Sequence, residues 1–75
     1  GVLKNLNRIT QAIKKGQAPK SIIRFDKGKI YKELPHIHFK DGSALNIDGS
    51  WKHGSKILTN KEIEFLKCYE WILPD

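Results

Sequence analysis

The sequence contains no long run of apolar residues, and no signal-peptide pattern opens it. The longest apolar runs, such as Ile57-Leu58 and Trp71-Ile72-Leu73, are far shorter than the roughly 20 residues that a membrane-spanning helix needs. We therefore expect a soluble domain that does not itself bind membranes.

The sequence also contains only one cysteine, Cys68. A single thiol cannot form an internal disulfide, and Cys68 has no second thiol with which to build a zinc ribbon or a redox pair. We expect Cys68 to be a small, partly buried apolar residue.

Acidic residues are in short supply, with 8 Asp and Glu against 14 Lys and Arg, for a formal net charge of +6. This charge concentrates polyanions around the protein, so nucleic acid is the natural partner. Lysines that only maintain solubility and an acidic protein partner remain alternatives.

A chain of 75 residues can bury only about 60% of its unfolded surface. We therefore expect residues 1–75 to form one domain.

Two helices are predicted, one at each end of the chain. Residues 1–15 place apolar side chains at helical spacing, and Gly16 follows as a C-terminal cap. The members of this stripe are Leu3, Leu6, Ile9 and Ile13. Thr59 and Glu62 have the spacing of a capping box that begins the second helix. We expect the terminal segment Trp71-Ile72-Leu73-Pro74 to lie back across the core.

The middle of the chain has the composition of β-strands. Residues 21–26 are β-branched and aromatic enough for one strand, and a turn follows at residues 26–29. Residues 30–34 fit either a short strand or an extended loop. Two Asp-Gly pairs then separate three alternating runs within residues 35–54, which predicts a three-stranded meander.

Turn geometry fixes the expected register of this meander. A three-residue loop over residues 40–42, with Gly42 left-handed, separates polar from apolar faces, whereas a two-residue loop mixes them. The predicted pairs are Ile37–Leu45, His38–Ala44 and His36–Asn46, and the same loop at 47–49 adds Leu45–Trp51 and Ala44–Lys52. Ile37, Phe39, Leu45 and Trp51 would then be buried, with His36, His38, Asn46 and Lys52 opposite. The expected fold is α+β, with both terminal helices packed on a small twisted antiparallel sheet.

The polar face of this meander suits RNA cleavage by the RNA's own 2′-hydroxyl. That reaction needs a base near the hydroxyl, an acid near the leaving 5′ oxygen, and cations around the phosphorane. His36 and His38 would share one side of a strand with Lys52 nearby, and His53 follows directly. We take these four residues as the candidate catalytic set.

Two other interpretations of the histidines stay open. Two exposed histidines on a solvated sheet face usually have no function. His-x-His on a strand can also bind zinc, with His53 or Asp48 as a third ligand, but no cluster completes a tetrahedral set. We therefore predict no metal and no cofactor. Asp48 is expected mainly to form its turn.

Other residues are candidates for binding RNA rather than cutting it. Basic side chains could line a phosphate-binding groove, and Arg24 is favoured because it lies inside a strand. Trp51 next to Lys52 is typical of base-stacking surfaces, although the register places Trp51 in the core. The full candidate set is Arg24, Lys27, Lys29, Lys40, Asn46 and Trp51.

The sequence resembles the C-terminal toxin domains of bacterial polymorphic toxins and contact-dependent growth-inhibition effectors. The likeness rests on residues 35–39, residues 44–54, the Leu58-Thr59 helix start, the terminal Trp71-Ile72-Leu73-Pro74 and the connector at 14–19. It implies the ribonuclease fold shared by barnase, EndoU, colicin and RelE-like toxins. It supports His36, His38, Lys52 and His53 as site residues, with Trp51 and Asp48 as structural members of the motif.

The resemblance implies a metal-independent endoribonuclease that cuts transfer RNA and leaves a cyclic phosphate. It also implies a cognate immunity protein, which we expect to be acidic. The domain would belong to a longer secreted or surface-displayed bacterial effector and act in the cytoplasm of the target cell. Two alternatives remain: a basic RNA-binding module without activity, and a metal-dependent nuclease that uses His36, His38 and His53.

Overall fold

The computed structural model describes residues 2–28 and 33–74, with side chains from residue 6 onward. It shows an α+β domain, as expected. In chain order the elements are α1 (Val2–Lys14), β1 (Ile22–Asp26), β2 (His36–Phe39), β3 (Ala44–Asn46), β4 (Trp51–His53) and α2 (Asn60–Cys68). The predictions for Lys29 and residues 30–32 lie outside the described residues. Within residues 2–28 and 33–74, no helix is long and apolar enough to cross a membrane.

Helix α1 ends as its sequence predicts. Gly16 adopts a positive φ of 75°, and the backbone N–H of Gln17 donates to the carbonyl of Ala12 at 2.8 Å, which satisfies an end-of-helix acceptor. Leu6 and Ile9 are buried and Ile13 packs against them, so the described part of the predicted stripe faces the core; the side chain of Leu3 lies outside the described residues.

Helix α2 begins with the predicted capping box. Thr59 Oγ1 accepts a hydrogen bond from the Glu62 backbone N–H, and Glu62 Oε1 accepts one from the Thr59 N–H. After the helix, Trp71 is buried and its Nε1–H donates to the carbonyl of Asn46 at 2.9 Å. The terminal segment therefore lies across the core, as expected. Cys68 is exposed, contrary to expectation, because it occupies the outer side of the last turn of α2.

The four strands form one antiparallel sheet in the order β1-β2-β3-β4. The predicted register of β2 and β3 is confirmed: the pairs are His36–Asn46, Ile37–Leu45 and His38–Ala44. Gly42 has a φ of 94°, and its N–H donates to the carbonyl of Phe39 at 3.1 Å. The left-handed glycine thus closes the three-residue loop, as the parity argument requires.

The register of β3 and β4 is only partly as predicted. Leu45 pairs with Trp51, but Ala44 pairs with His53 rather than with Lys52, because the register shifts between these two pairs. A bulge sets two residues of one strand against one of its neighbour, so simple alternation fails beyond it. Trp51 is half-buried and packs against the core without being enclosed by it.

The core lies on one face of the sheet. It combines residues of both helices, three strands and the terminal segment: Leu6, Ile9, Ile22, Ile37, Phe39, Leu45, Leu66 and Trp71. Because side chains alternate along a strand, the neighbours of Ile37 in β2 project to the opposite face. That opposite face carries the candidate site.

Candidate functional site

The pairing of β1 with β2 assembles the site. Arg24 lies opposite His38, and Asp26 lies opposite His36. These four side chains share the face away from the core, since Phe25 and Ile37 between them pack into it. The structure therefore brings together two predicted histidines, one predicted arginine and one aspartate, Asp26, which the sequence interpretation placed at the end of a strand and in the following turn but not in the site. We call Arg24, Asp26, His36 and His38 the β1–β2 cluster.

The most informative contact joins Arg24 and His38. Arg24 Nη2 lies 3.1 Å from His38 Nε2 on the exposed side of the sheet. A guanidinium can only donate hydrogen bonds, so Nε2 must accept and therefore carries no proton. While this contact holds, His38 is a neutral imidazole with its basic lone pair directed at Arg24.

The surroundings of His38 favour this neutral form. Burial lowers the pKa of His38 below its ordinary value, and electrostatic interactions with Arg24, His36 and His53 lower it further. Asp26 opposes this trend because its negative charge stabilises the imidazolium. The net direction is downward, so His38 is suited to accept a proton near neutral pH.

His36 is enclosed, whereas the sequence interpretation placed it on a solvated face. Its exposed fraction is 2%, and its ring contacts that of His38 edge-on, with centroids 4.8 Å apart. His36 Nδ1 lies 2.9 Å from the carbonyl oxygen of Leu34, which can only accept, so Nδ1 is the donor. In the neutral ring the lone pair is then on Nε2. Such a buried ring is better placed to orient His38 than to contact a large substrate.

Asp26 is the site residue that sequence reasoning missed. It ends β1, and one carboxylate oxygen, Oδ1, accepts a hydrogen bond from the Gly28 backbone N–H at 3.0 Å. This bond lowers the pKa of Asp26, as do the neighbouring positive charges, while burial opposes the change. Asp26, His36 and His38 can each offer one ligand atom, and these atoms lie within 4.8 Å of one another. The Asp-x-Gly spacing indicated the turn at Asp26, but no local sequence feature indicated that Asp26 lies beside His36 and His38.

The two candidates on β4 lie at the other side of the face. His53 is exposed and pairs with Ala44, which itself pairs with His38. His53 is therefore two strand spacings from His38, about 9.6 Å between backbones. Lys52 is half-buried, and its Nζ lies 3.8 Å from Glu33 Oε2. The structure thus places His53, rather than Lys52, across from His38.

The remaining predicted residues are more scattered. Lys27 and Lys40 are exposed in loops at opposite ends of β1 and β2, and Asn46 Nδ2 donates to Ser50 Oγ at 3.1 Å. Lys29 lies outside the described residues. Asp48 Oδ1 accepts hydrogen bonds from the backbone and hydroxyl of Ser50, which lower the pKa of Asp48. Asp48 is thus a turn former, as expected, and is not in the metal-compatible group.

Comparisons of this chain with protein-family models, with curated protein sequences and with solved structures find no match. The geometry of the β1–β2 cluster and the net charge of +6 are therefore the main indications of function.

Proposed function

We propose that this domain is a metal-independent endoribonuclease that cleaves by attack of the RNA's 2′-hydroxyl and leaves a cyclic phosphate. The observation that carries the proposal is the exposed contact between Arg24 and His38 at 3.1 Å. It places a neutral imidazole beside a permanent cation, which is what proton removal next to a phosphate requires. The net charge of +6 supports RNA as the substrate.

The contact between Arg24 and His38 also suggests the order in which the reaction proceeds. An RNA phosphate attracts the Arg24 guanidinium, which forms paired hydrogen bonds with phosphate oxygens. Movement of Arg24 onto the phosphate frees His38 Nε2, which then accepts the proton of the 2′-hydroxyl as that oxygen attacks phosphorus. Arg24 remains on the phosphate, where negative charge builds up in the transition state.

The leaving 5′ oxygen needs a proton from the opposite side. His53 is the candidate acid, because it is exposed and lies across Ala44 from His38. Ala44, which lies between His38 and His53 in the sheet, is fully buried. Lys52 adds positive charge on the same strand, although Glu33 offsets part of it. His36 orients His38 through their edge-on contact.

The resemblance to bacterial toxin domains extends the proposal. It favours transfer RNA as the substrate, the barnase, EndoU, colicin and RelE-like fold, and a bacterial effector that delivers the domain into a competing cell. An acidic immunity protein that covers the Arg24 side of the sheet would compensate the positive charge of the domain and block the approach of RNA.

The test is incubation of the purified domain with total bacterial tRNA in excess EDTA, beside His38→Ala and His53→Ala variants. General acid–base catalysis contributes about 100- to 10,000-fold, so each variant should lose at least 100-fold in rate. Lys67→Ala, which alters an exposed residue of α2, is the control and should cleave normally. Discrete fragments that end in cyclic phosphate are expected.

Two outcomes would contradict the proposal. If RNA binds but is not cut, the domain is a basic RNA-binding module. If cleavage stops in EDTA and returns with added metal, the mechanism is metal-dependent. Thermal unfolding of each variant shows whether a loss of activity reflects chemistry or folding.

A further inference from the structure

The β1–β2 cluster has the composition and spacing of a transition-metal site. Asp26, His36 and His38 can each offer one ligand atom, and the three atoms lie within 4.8 Å of one another. Zinc binds nitrogen and carboxylate oxygen at about 2.0–2.2 Å, which sets tetrahedral ligands roughly 3.3–3.5 Å apart. Binding an ion therefore requires the half-buried Asp26 and His38 side chains to move closer to the buried ring of His36. The backbone pairing sets Asp26 directly opposite His36 in the sheet.

His36 is pre-oriented for coordination. Its Nδ1–H donates to the carbonyl of Leu34 at 2.9 Å, and the ring is only 2% exposed. Zinc-binding histidines commonly donate their second ring nitrogen to a carbonyl or carboxylate, which fixes the tautomer and orients the ligating nitrogen. His36 thus meets this condition without any metal, and burial keeps the ring from turning away.

Asp26 is held in a compatible way. Its Oδ1 accepts the Gly28 N–H at 3.0 Å, so Oδ2 can coordinate an ion while that bond persists. Two imidazoles and one carboxylate form a donor set that suits zinc and similar divalent ions, with a further position for water.

One neighbour opposes metal binding. Arg24 Nη2 lies 3.1 Å from His38 Nε2, so its cation occupies a ligand lone pair and repels a second cation. An incoming ion must displace Arg24, whose side chain is exposed and can move into solvent. A metal ion can therefore bind to the cluster only when Arg24 has moved away from His38.

We propose that Asp26, His36 and His38 bind a divalent transition-metal ion, with zinc as the best match, in competition with Arg24. This inference goes beyond the proposed cleavage, which uses no metal. It also differs from the sequence-based alternative, because the third ligand is Asp26 rather than His53 or Asp48.

The test is titration of the purified chain with zinc against a chromogenic chelator, repeated with cobalt to record its absorption spectrum. Stoichiometric binding is expected, with a cobalt spectrum of nitrogen and oxygen ligands. Asp26→Asn and His38→Gln should each weaken binding by more than the roughly 10- to 100-fold that loss of an outer partner costs. Arg24→Ala should instead strengthen binding, which a merely structural role for Arg24 would not produce.

Two controls locate the ion. His53→Ala and Cys68→Ser, both at exposed positions, should bind zinc as tightly as the parent chain. Absence of stoichiometric binding, or loss of binding in either control with retention in Asp26→Asn, would overturn the proposal. Since the assay contains no RNA, its outcome does not depend on whether the domain is a nuclease.

Discussion

Glu62, in the first turn of α2, is a completely buried carboxylate whose partner can be removed by one substitution. Its side chain accepts hydrogen bonds from Lys56 Nζ at 2.6 Å, Ser21 Oγ at 2.5 Å and the Thr59 backbone N–H at 2.7 Å. Lys56 is itself only 18% exposed and lies over the ring of Phe39. We predict that Lys56→Met strongly destabilises the domain.

The magnitude follows from the charge that is left behind. Removal of one partner of a buried ion pair costs about 3–5 kcal/mol, because the other charge stays buried without compensation. Ser21 and Thr59 still donate to Glu62, so we expect the lower end, about 3 kcal/mol. A 75-residue domain has a free energy of unfolding of about 4–11 kcal/mol at 0.05–0.15 kcal/mol per residue. The variant should therefore fold at 25 °C, with a Tm lower by roughly 12–24 °C.

The effect should depend on pH in a defined direction. Burial would raise the pKa of Glu62, but hydrogen bonds from Lys56, Ser21 and Thr59 lower it below its ordinary value of 4.5. The carboxylate therefore stabilises the parent chain above the unfolded pKa, and this contribution is lost as pH falls through the folded pKa. Without Lys56, burial dominates and the folded state takes up a proton more readily. The stability difference should be largest at pH 7 and shrink toward pH 4.

Urea unfolding at both pH values, followed by the fluorescence of Trp51 and Trp71, measures this difference. Lys61→Met, at an exposed position of the same helix, should change stability by less than about 0.5 kcal/mol. The double variant Lys56→Met/Glu62→Gln removes both charges, keeps an acceptor for Ser21 and Thr59, and should recover most of the loss. A difference below about 1 kcal/mol at pH 7, as for a surface ion pair, would refute the reasoning. So would a difference that is equal at the two pH values.

Two further predictions follow from the turns and from the cationic side of the site. Gly49 and Gly42 have φ values of 91° and 94°, but a Cβ at Gly49 would lie 3.0 Å from the carbonyl oxygen of Leu73, whereas one at Gly42 meets nothing within 4 Å. Gly42→Ala should lower the free energy of unfolding by about 1–2 kcal/mol because of backbone strain. Gly49→Ala should lower it further in the same urea assay. Equal losses for the two variants would contradict a close approach of the terminal segment to Gly49. Arg24→Ala should weaken RNA binding and reduce the salt dependence of log K by about 0.7, measured by titration at several salt concentrations. An unchanged slope would mean that Arg24 does not contact a phosphate.

The local features of the fold were predictable because their causes are local. Gly42 requires a left-handed loop, and alternation then fixes which residues of β2 and β3 face each other. The capping box of Thr59 and Glu62 defines the start of α2 in the same way. The error at Ala44 arose where a bulge interrupts alternation, and no turn residue marks that bulge in the sequence.

The site itself was only half predictable, because it depends on a non-local pairing. His36 and His38 could be placed on one face from the β2 pattern alone. Nothing in that pattern showed that β1 lies beside β2, so the contacts of Arg24 and Asp26 with the histidines were missed. The burial of His36 has the same origin, since parity shows the direction of a side chain but not what covers it.

The buried ion pair and the site are connected through β1. Ser21 precedes β1; its hydroxyl donates to Glu62, and its carbonyl accepts the Lys40 backbone N–H at 2.7 Å. These two bonds tie the start of β1 to α2 and to the end of β2 and so hold β1 beside β2. A register shift between Ile22 and Arg24 then sets Arg24 opposite His38. A loss at Glu62 should therefore loosen β1 before it disturbs the β2–β3 turn, whose hydrogen bonds are its own. On this reasoning the carboxylate in the core positions the arginine on the opposite face, although the two side chains never meet.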